Sequence, residues 1–378
     1  MGTQQREGGV IGEHLSGGHT EGTQEPMNVS TKQRQIAALA RQHPERVFIA
    51  LNHYLDYEWL QRAYELTRKD GAVGIDGVTA QSYERNLRAN LEDLLERMKS
   101  GRYQAPPVRR VYIPKEDGTL RPLGISTFED KIAQRAIVML LVPLYEQDFR
   151  DCSFGFRPGR SAHQALERLR NDIMERKGRW ILDLDIANYF GTIGHRYLRA
   201  ALDKRVKDGV VRRLIDKWLK AGILEQGTLT HPEEGTPQGG VASPLLANIF
   251  LHYVLDVWFE DRVAPRLQGR SSLIRFADDA VGVFEDREDC ERVRQALEQR
   301  LEQFGLTLHP TKTRIVDFRF VRERDKRPGR HTGSAFDFLG FVRHEVAYTA
   351  VMTNRVGHNL VCCHQYPTKP CGGSNPAV

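Results

Sequence analysis

The sequence predicts an α+β fold in which helices back an antiparallel sheet. Three observations predict it: helical apolar spacing over much of the chain, a hairpin signature at residues 108–125, and two later β-rich segments with aspartates at one end. With 378 residues the chain has room for two or three subdomains around a shared core. Its 55 Lys+Arg against 49 Asp+Glu give a formal charge of +6, which suits a polyanionic partner without identifying one.

Residues 1–30 are polar, Gly-rich and without hydrophobic period, which predicts disorder. From Thr31 to Leu66 the apolar positions (Ile36, Leu39, Phe48, Leu51, Leu60, Ala63) are helical with breaks. The loop Gly71–Gly77 carries an Asp76-Gly77 turn signal, and Asn86–Ser100 resumes a helix with Leu87, Leu91, Leu94 and Leu95 on one side. Val108–Pro114 and residues 119–125, joined across Asp117-Gly118, form a hairpin with Lys115 and Arg121 on opposite arms near its tip. Phe128–Leu144 is a buried helix, and Ser161 caps another through Ile173. Trp180–Ile186 is a strand. Ser243-Pro244, an N-cap followed by a first-turn proline, opens a helix. Leu273–Phe284 is two apolar arms around an acidic tip, and Asp286 caps a helix that ends at Gly305. No internal repeat is present.

Five cysteines at irregular spacing give no disulfide framework and predict a reducing, cytosolic compartment. Cys362, Cys363, His364 and Cys371 lack the two-residue gap by which paired thiolates share a zinc ion. The N-terminus has no apolar signal-peptide core. The longest apolar stretch, Ala136–Leu144, is half a bilayer span and holds Pro143, so membrane insertion is not expected.

The chemistry is expected at two acidic strand ends far apart in sequence, Asp183-Leu184-Asp185 and Phe276-Ala277-Asp278-Asp279. Carboxylates there are costly to desolvate unpaired. A pair of Mg²⁺ ions, bridged by carboxylates and substrate phosphates, would offset that cost. Read alone, Asp-Asp in a hairpin is also an ordinary turn.

Further motifs accompany these ends. Phe276-Ala277-Asp278-Asp279 resembles the aromatic-x-Asp-Asp box of reverse transcriptases. Asp185-Ile186-Ala187-Asn188-Tyr189-Phe190 and Gly235-Thr236-Pro237-Gln238-Gly239-Gly240 resemble two further boxes of that family. Gly74-Ile75-Asp76-Gly77, Ile113-Pro114-Lys115 through Arg121-Pro122-Leu123-Gly124, Phe154–Ser161, His309–Thr313 and Phe338–Phe341 are similar to group II intron-encoded reverse transcriptase/maturases in particular. The matches run in family order from about residue 43 to 343.

The resemblance implies a right-hand polymerase fold. Residues 31–178 would be its fingers-rich part, 179–343 its palm, and 344–378 an irregular tail where the family continues into a thumb and maturase region. That implies a truncated member whose thumb is largely absent. It implies RNA-directed DNA polymerisation on an intron RNA template from a DNA primer, using deoxynucleoside triphosphates and two Mg²⁺ ions, with Mn²⁺ as a possible substitute. A bacterial cytoplasm or nucleoid would be the location.

By resemblance, Asp185 and Asp278 are the principal metal ligands, Asp279 completes the cluster, and the Ile186 carbonyl adds a ligand. Asp183 shares a strand face with Asp185 but is not assigned as a ligand. Lys115 and Arg121 would clamp the triphosphate. Phe190 would be a steric gate against ribonucleotides, or otherwise a core aromatic. Gln238 and Gly239 would approach nucleotide or template. Lys312 would donate a proton to pyrophosphate, or otherwise be a surface lysine. Arg109, Arg110, Arg157, Arg160 and the basic stretch Arg319–Arg330 would contact template phosphates, the last being equally a solvated loop. Gly191 stands where the family usually has an acidic residue. Competing readings are an RNA-binding maturase or inactive remnant, a retron-like domesticated enzyme, and, least supported, an RNA replicase.

Overall fold

The computed structural model describes residues 28–114, 118, 120–174, 178–225, 227–230, 234–235, 239–318, 335–339, 341–344, 351–354 and 359–360. The expectation of disorder therefore falls outside the described residues up to 27. At its end it is corrected: Asn28 accepts from the Thr31 amide and caps α1, Val29–Gln42.

α2 (Tyr57–Leu66), α4 (Leu87–Ser100) and α5 (Phe128–Tyr145) pack with α1 around one apolar core. Between α2 and α4 lies the short α3, Ala80–Glu84, closed by a Thr79–Ser82 capping box. α5 is buried on nearly every side, as its composition predicts, and its Ala136 carbonyl accepts the fully buried Trp59 indole N–H at 3.0 Å. The sequence hairpin is present: β1 (Val108–Pro114) pairs antiparallel with β2 (Leu120–Ile125), placing Arg121 opposite Ile113.

α6, Ala162–Met174, is closed at its start by Ser161 and Gln164, each side chain bonding the other's amide. β3, Trp180–Leu184, follows and stops one residue before Asp185. The helices α7 (Tyr189–Thr192), α8 (His195–Asp203) and α9 (Gly209–Leu219) lead to β4 (Ile223–Glu225) and β5 (Thr228–Thr230). β4 runs parallel to β1, so the first hairpin belongs to a sheet of order β2-β1-β4-β5.

α10 is Ser243–Leu251. Ser243 is its first residue rather than its cap, a shift of one position that keeps Pro244 in the first turn. Beyond Leu251 the helix widens into π-helical turns at His252–Asp256 and Phe259–Val263, a distortion often found near functional sites.

β6 (Ser271–Phe276) and β7 (Asp279–Phe284) form the acidic hairpin, with Phe276 opposite Asp279. α11, Arg287–Glu302, is capped by Asp286, and β8 is Arg314–Asp317. The central sheet has order β6-β7-β3-β8, antiparallel throughout. α6 packs under it in a second apolar cluster with Ile274, Val281 and Val283. β9 (Ala335–Phe338) and β10 (Phe341–His344) follow, and the tail expected to be irregular beyond them adds β11 (Val351–Asn354) and β12 (Asn359–Leu360), the four pairing antiparallel in sequence order. Among the described residues, no helix is long and apolar enough to cross a membrane.

Candidate active site

The register of the central sheet brings the two acidic ends together. Leu184 pairs with Ala280, so Asp185, the next residue, arrives beside Asp279. Asp185 lies beyond β3 and is held by the segment after α11. Its carbonyl accepts the His309 amide at 2.7 Å and the Thr313 hydroxyl at 3.2 Å, while Ile186 bridges to Leu308. The His309–Thr313 motif thus fixes the backbone of Asp185.

Asp183, Asp185, Asp279, Thr311, Lys312 and Arg314 line a cavity of about 430 Å³. The Lys312 ammonium lies 3.3 Å from the Asp185 carboxylate, and Arg314 is 3.4 Å from Asp183. Asp183 therefore shares the face of Asp185 but is paired with Arg314.

Burial pushes the Asp278 carboxyl above its usual range; a backbone hydrogen bond opposes this, Asp185 adds to it, and Arg121 and Arg275 counter it. Asp279 reaches solvent at the cavity mouth, yet its carboxyl is hemmed in by the walls. That desolvation, then the charges of Asp278, Asp185 and Asp183, pushes it up to about 6, with Lys312 opposing. The carboxylates repel one another across the two strand ends. Arg121, on the first hairpin, is close enough for its charge to act on Asp278.

The tip is clamped from behind. Ala277 takes φ +59°, as the first position of a tight two-residue hairpin loop requires in a primed turn. Its carbonyl accepts Arg275 Nη1 at 2.8 Å. Arg275 is fully buried and pairs with equally buried Asp256 through Nε at 2.7 Å and Nη2 at 2.6 Å. Its remaining donors reach Asn248 at 2.9 Å and Ser153 at 2.8 Å. The sequence reading missed this group. Its signal was present: one arginine in an apolar strand, and one aspartate in the apolar run after Ser243.

Gly155 presses on the same tip. A Cβ there would stand 2.3 Å from the Ala277 nitrogen and 2.9 Å from the Phe276 carbonyl carbon, both backbone. Gly155→Ala is expected to destabilise the protein by about 1–3 kcal/mol in urea unfolding, by forcing the tip to shift.

Phe190 is half-buried, edge-on to Tyr189 at 5.4 Å, and Tyr189 is anchored by its hydroxyl to the Ala247 carbonyl at 2.7 Å. Gly239, at φ +109°, lies so close to the first hairpin that a Cβ would meet the Gly124 carbonyl at 2.8 Å. Lys115, Gln238 and the stretch 319–330 lie outside the described residues, as do Cys362, Cys363, His364 and Cys371.

One template-contact expectation is corrected. Arg157 is buried, pairs through two nitrogens with Glu146, and donates to the carbonyls of Arg150 and Ser153 at 2.8 and 2.7 Å. Its guanidinium holds a loop and has no face left for phosphate. Arg109 is half-buried and bonded to the Val73 carbonyl, Arg110 is half-buried, and Arg160 pairs with Asp151 at 2.6 Å over the Phe154 ring.

Among the described residues, no three His, Cys, Asp or Glu side chains stand close enough to form a ready-made metal cage. The donor set nevertheless fits magnesium, which takes one or two carboxylates plus substrate phosphates rather than an all-protein cage. The mutual repulsion of Asp185, Asp278 and Asp279 is what a cation at these strand ends would relieve.

Carboxylates gathered at adjoining strand ends, with cations facing them, define a class: an acidic centre suited to phosphate chemistry. The family follows from comparison. Residues 113–343 match the model of "Reverse transcriptase (RNA-dependent DNA polymerase)", and the chain belongs to that family, among its group II intron-encoded reverse transcriptase/maturases. It is 40% identical over 233 residues to protein YkfC of Escherichia coli K12, covering 60% of this chain and 61% of that protein. Group II intron-encoded protein LtrA of Lactococcus lactis is 36% identical over 240 residues, 61% of this chain and 39% of LtrA. A 91 kDa protein in the cob intron of Schizosaccharomyces pombe is 32% identical over 249 residues, 65% of this chain and 30% of that protein. The matched part of the chain thus spans between 30% and 61% of the length of these relatives.

Proposed function

We propose that this chain extends a DNA primer on an RNA template, with intron RNA as the template class. The observation that carries the reading is the convergence of Asp185 with Asp278 and Asp279 at adjoining strand ends, beside Lys312 and within the field of Arg121. In this reading the central sheet is a palm and the β1–β2 hairpin belongs to the fingers. Asp185, Asp278, Asp279 and the Ile186 carbonyl would hold two Mg²⁺ ions. When bound, the metal supplies neutralisation of the transferring phosphate and acidification of the primer hydroxyl.

The chain's own residues do the rest. Arg121 brings positive charge to the triphosphate, and Lys115, next in sequence after β1, would add to it. Lys312, whose ammonium lies 3.3 Å from the Asp185 carboxylate, would donate a proton to departing pyrophosphate. Gly239 allows a close backbone approach between its loop and the first hairpin.

Phe190 is the steric gate in this reading. Phe190→Ala is expected to narrow the preference for deoxy- over ribonucleotides by on the order of 10–100-fold in kcat/KM. Single-nucleotide incorporation with each sugar checks it; an unchanged ratio would leave Phe190 a packing residue.

Primer extension on an RNA template, comparing wild type with Asp278→Ala, tests the whole reading. No incorporation in either protein would favour an RNA-binding maturase role without polymerase chemistry, and equal incorporation in both would show that the acidic site described here is not its source.

A further inference from the structure

We propose that Phe156 is a stacking platform for the last nucleotide of the primer strand, a role that rests on the polymerase reading above. Phe156 is 60% exposed, although its neighbours Phe154 and Arg157 are buried. Its φ of +55° is in the left-handed region, which a bulky aromatic residue resists.

The loop that holds it is not loose. Ser153 bridges to Arg275 in parallel register, and the Phe154 amide donates to the Arg275 carbonyl at 2.8 Å. The Gly155 carbonyl accepts from buried Asn248 at 2.7 Å, and Arg157 pins the next residue to Glu146. A network of buried bonds thus keeps a large apolar ring in solvent, in a conformation its residue type disfavours. Such a conflict between local preference and fold is characteristic of functional sites.

Its position indicates what it meets. The Phe156 ring lies 6.4 Å from that of Phe276, the residue that begins the acidic tip, and Gly155 abuts Ala277. Across the sheet, Lys312 and Asp185 stand on the β8–β3 side, Phe276 and the 153–156 segment on the β6 side, and Asp278 between them. In phosphoryl transfer the attacking and leaving oxygens lie roughly in line on opposite sides of phosphorus. With pyrophosphate leaving toward Lys312, the primer 3′ end approaches from the β6 side. An exposed flat ring there matches the π-face of a base and needs no particular sequence.

The test uses the full chain and a labelled RNA-template/DNA-primer duplex with a recessed 3′ end. A second duplex carries an abasic nucleotide at the primer terminus. Phe156→Ala is expected to weaken binding of the intact duplex on the order of tenfold, by fluorescence anisotropy, and Phe156→Trp to restore it. The abasic terminus should weaken wild type by a similar factor and leave Phe156→Ala unaffected, with KM for the nucleotide unchanged in every variant. Phe156→Gly, which suits the left-handed backbone, should unfold at a urea concentration no lower than wild type.

Wild-type affinity in Phe156→Ala, or an equal abasic penalty in both proteins, would overturn the proposal. So would a lowered urea midpoint in Phe156→Gly, which would mark the ring as packing. If the binding pattern appears but wild type extends no primer, the polymerase reading fails and the stacking role stands.

Discussion

Asp278→Ala should reduce RNA-templated primer extension on the order of a thousandfold or more while leaving the fold intact or slightly stabilised. The two effects have one cause. Asp278 is a partly buried carboxylate beside Asp185 and Asp279, and burial and repulsion disfavour its charge in the folded protein. Removing it relieves that repulsion, so the urea midpoint should hold or rise. Removing it also deletes a group aimed at charge that develops during transfer, where single contacts carry large rate factors. Single-turnover extension with saturating primer-template and nucleotide reads the first effect, and urea unfolding the second. A loss of both activity and stability would make Asp278 a structural residue.

The largest stability effect is expected at Asp256. Asp256→Ala leaves the fully buried Arg275 guanidinium without its counter-charge, which costs about 3–5 kcal/mol when a buried pair is broken from one side. Asn248, Ser153 and the Ala277 carbonyl remain as partners, but they are neutral. Urea unfolding measures the loss directly. Asp256→Leu combined with Arg275→Met should recover a large part of it, because an apolar pair of similar volume carries no stranded charge. The double variant should still be poorly active, since it no longer ties the Ala277 carbonyl that shapes the tip. If Asp256→Ala unfolds like wild type, the pair does not support the hairpin.

These two residues mark where sequence reasoning stopped. Local periodicity was enough for β6–β7, α5, α11 and the β1–β2 hairpin, because each is set by neighbours a few residues away. Alternation and turn residues identify a hairpin without any tertiary information. The acidic ends were legible because carboxylates in apolar strands demand an explanation. Their alignment depended on strand register, which pairs residues about 100 positions apart and leaves no local signature.

Arg275 and Asp256 read separately as stray charges in two apolar segments, and only the fold makes them a pair. Arg157 erred the other way. In a motif beside other arginines it resembled a phosphate contact, but Glu146 and two carbonyls turn it inward. The tail strands β11 and β12 escaped because they are only four and two residues long, too short for alternation to register. The π-helical widening at His252–Asp256 has no sequence signal that we recognise. It carries Asp256 itself, and it holds His252 so deeply buried that its imidazole pKa falls to about 4.

The most direct measurement is a crystal structure of the chain with Mn²⁺, an RNA-template/DNA-primer duplex and a non-hydrolysable nucleotide, phased for anomalous scattering from the metal. The account predicts two manganese peaks about 3.5–4 Å apart at the strand ends, one or both in contact with Asp185 and Asp278 carboxylate oxygens. A correctly seated nucleotide with manganese bound only elsewhere, or coordinated by neither aspartate, would contradict it.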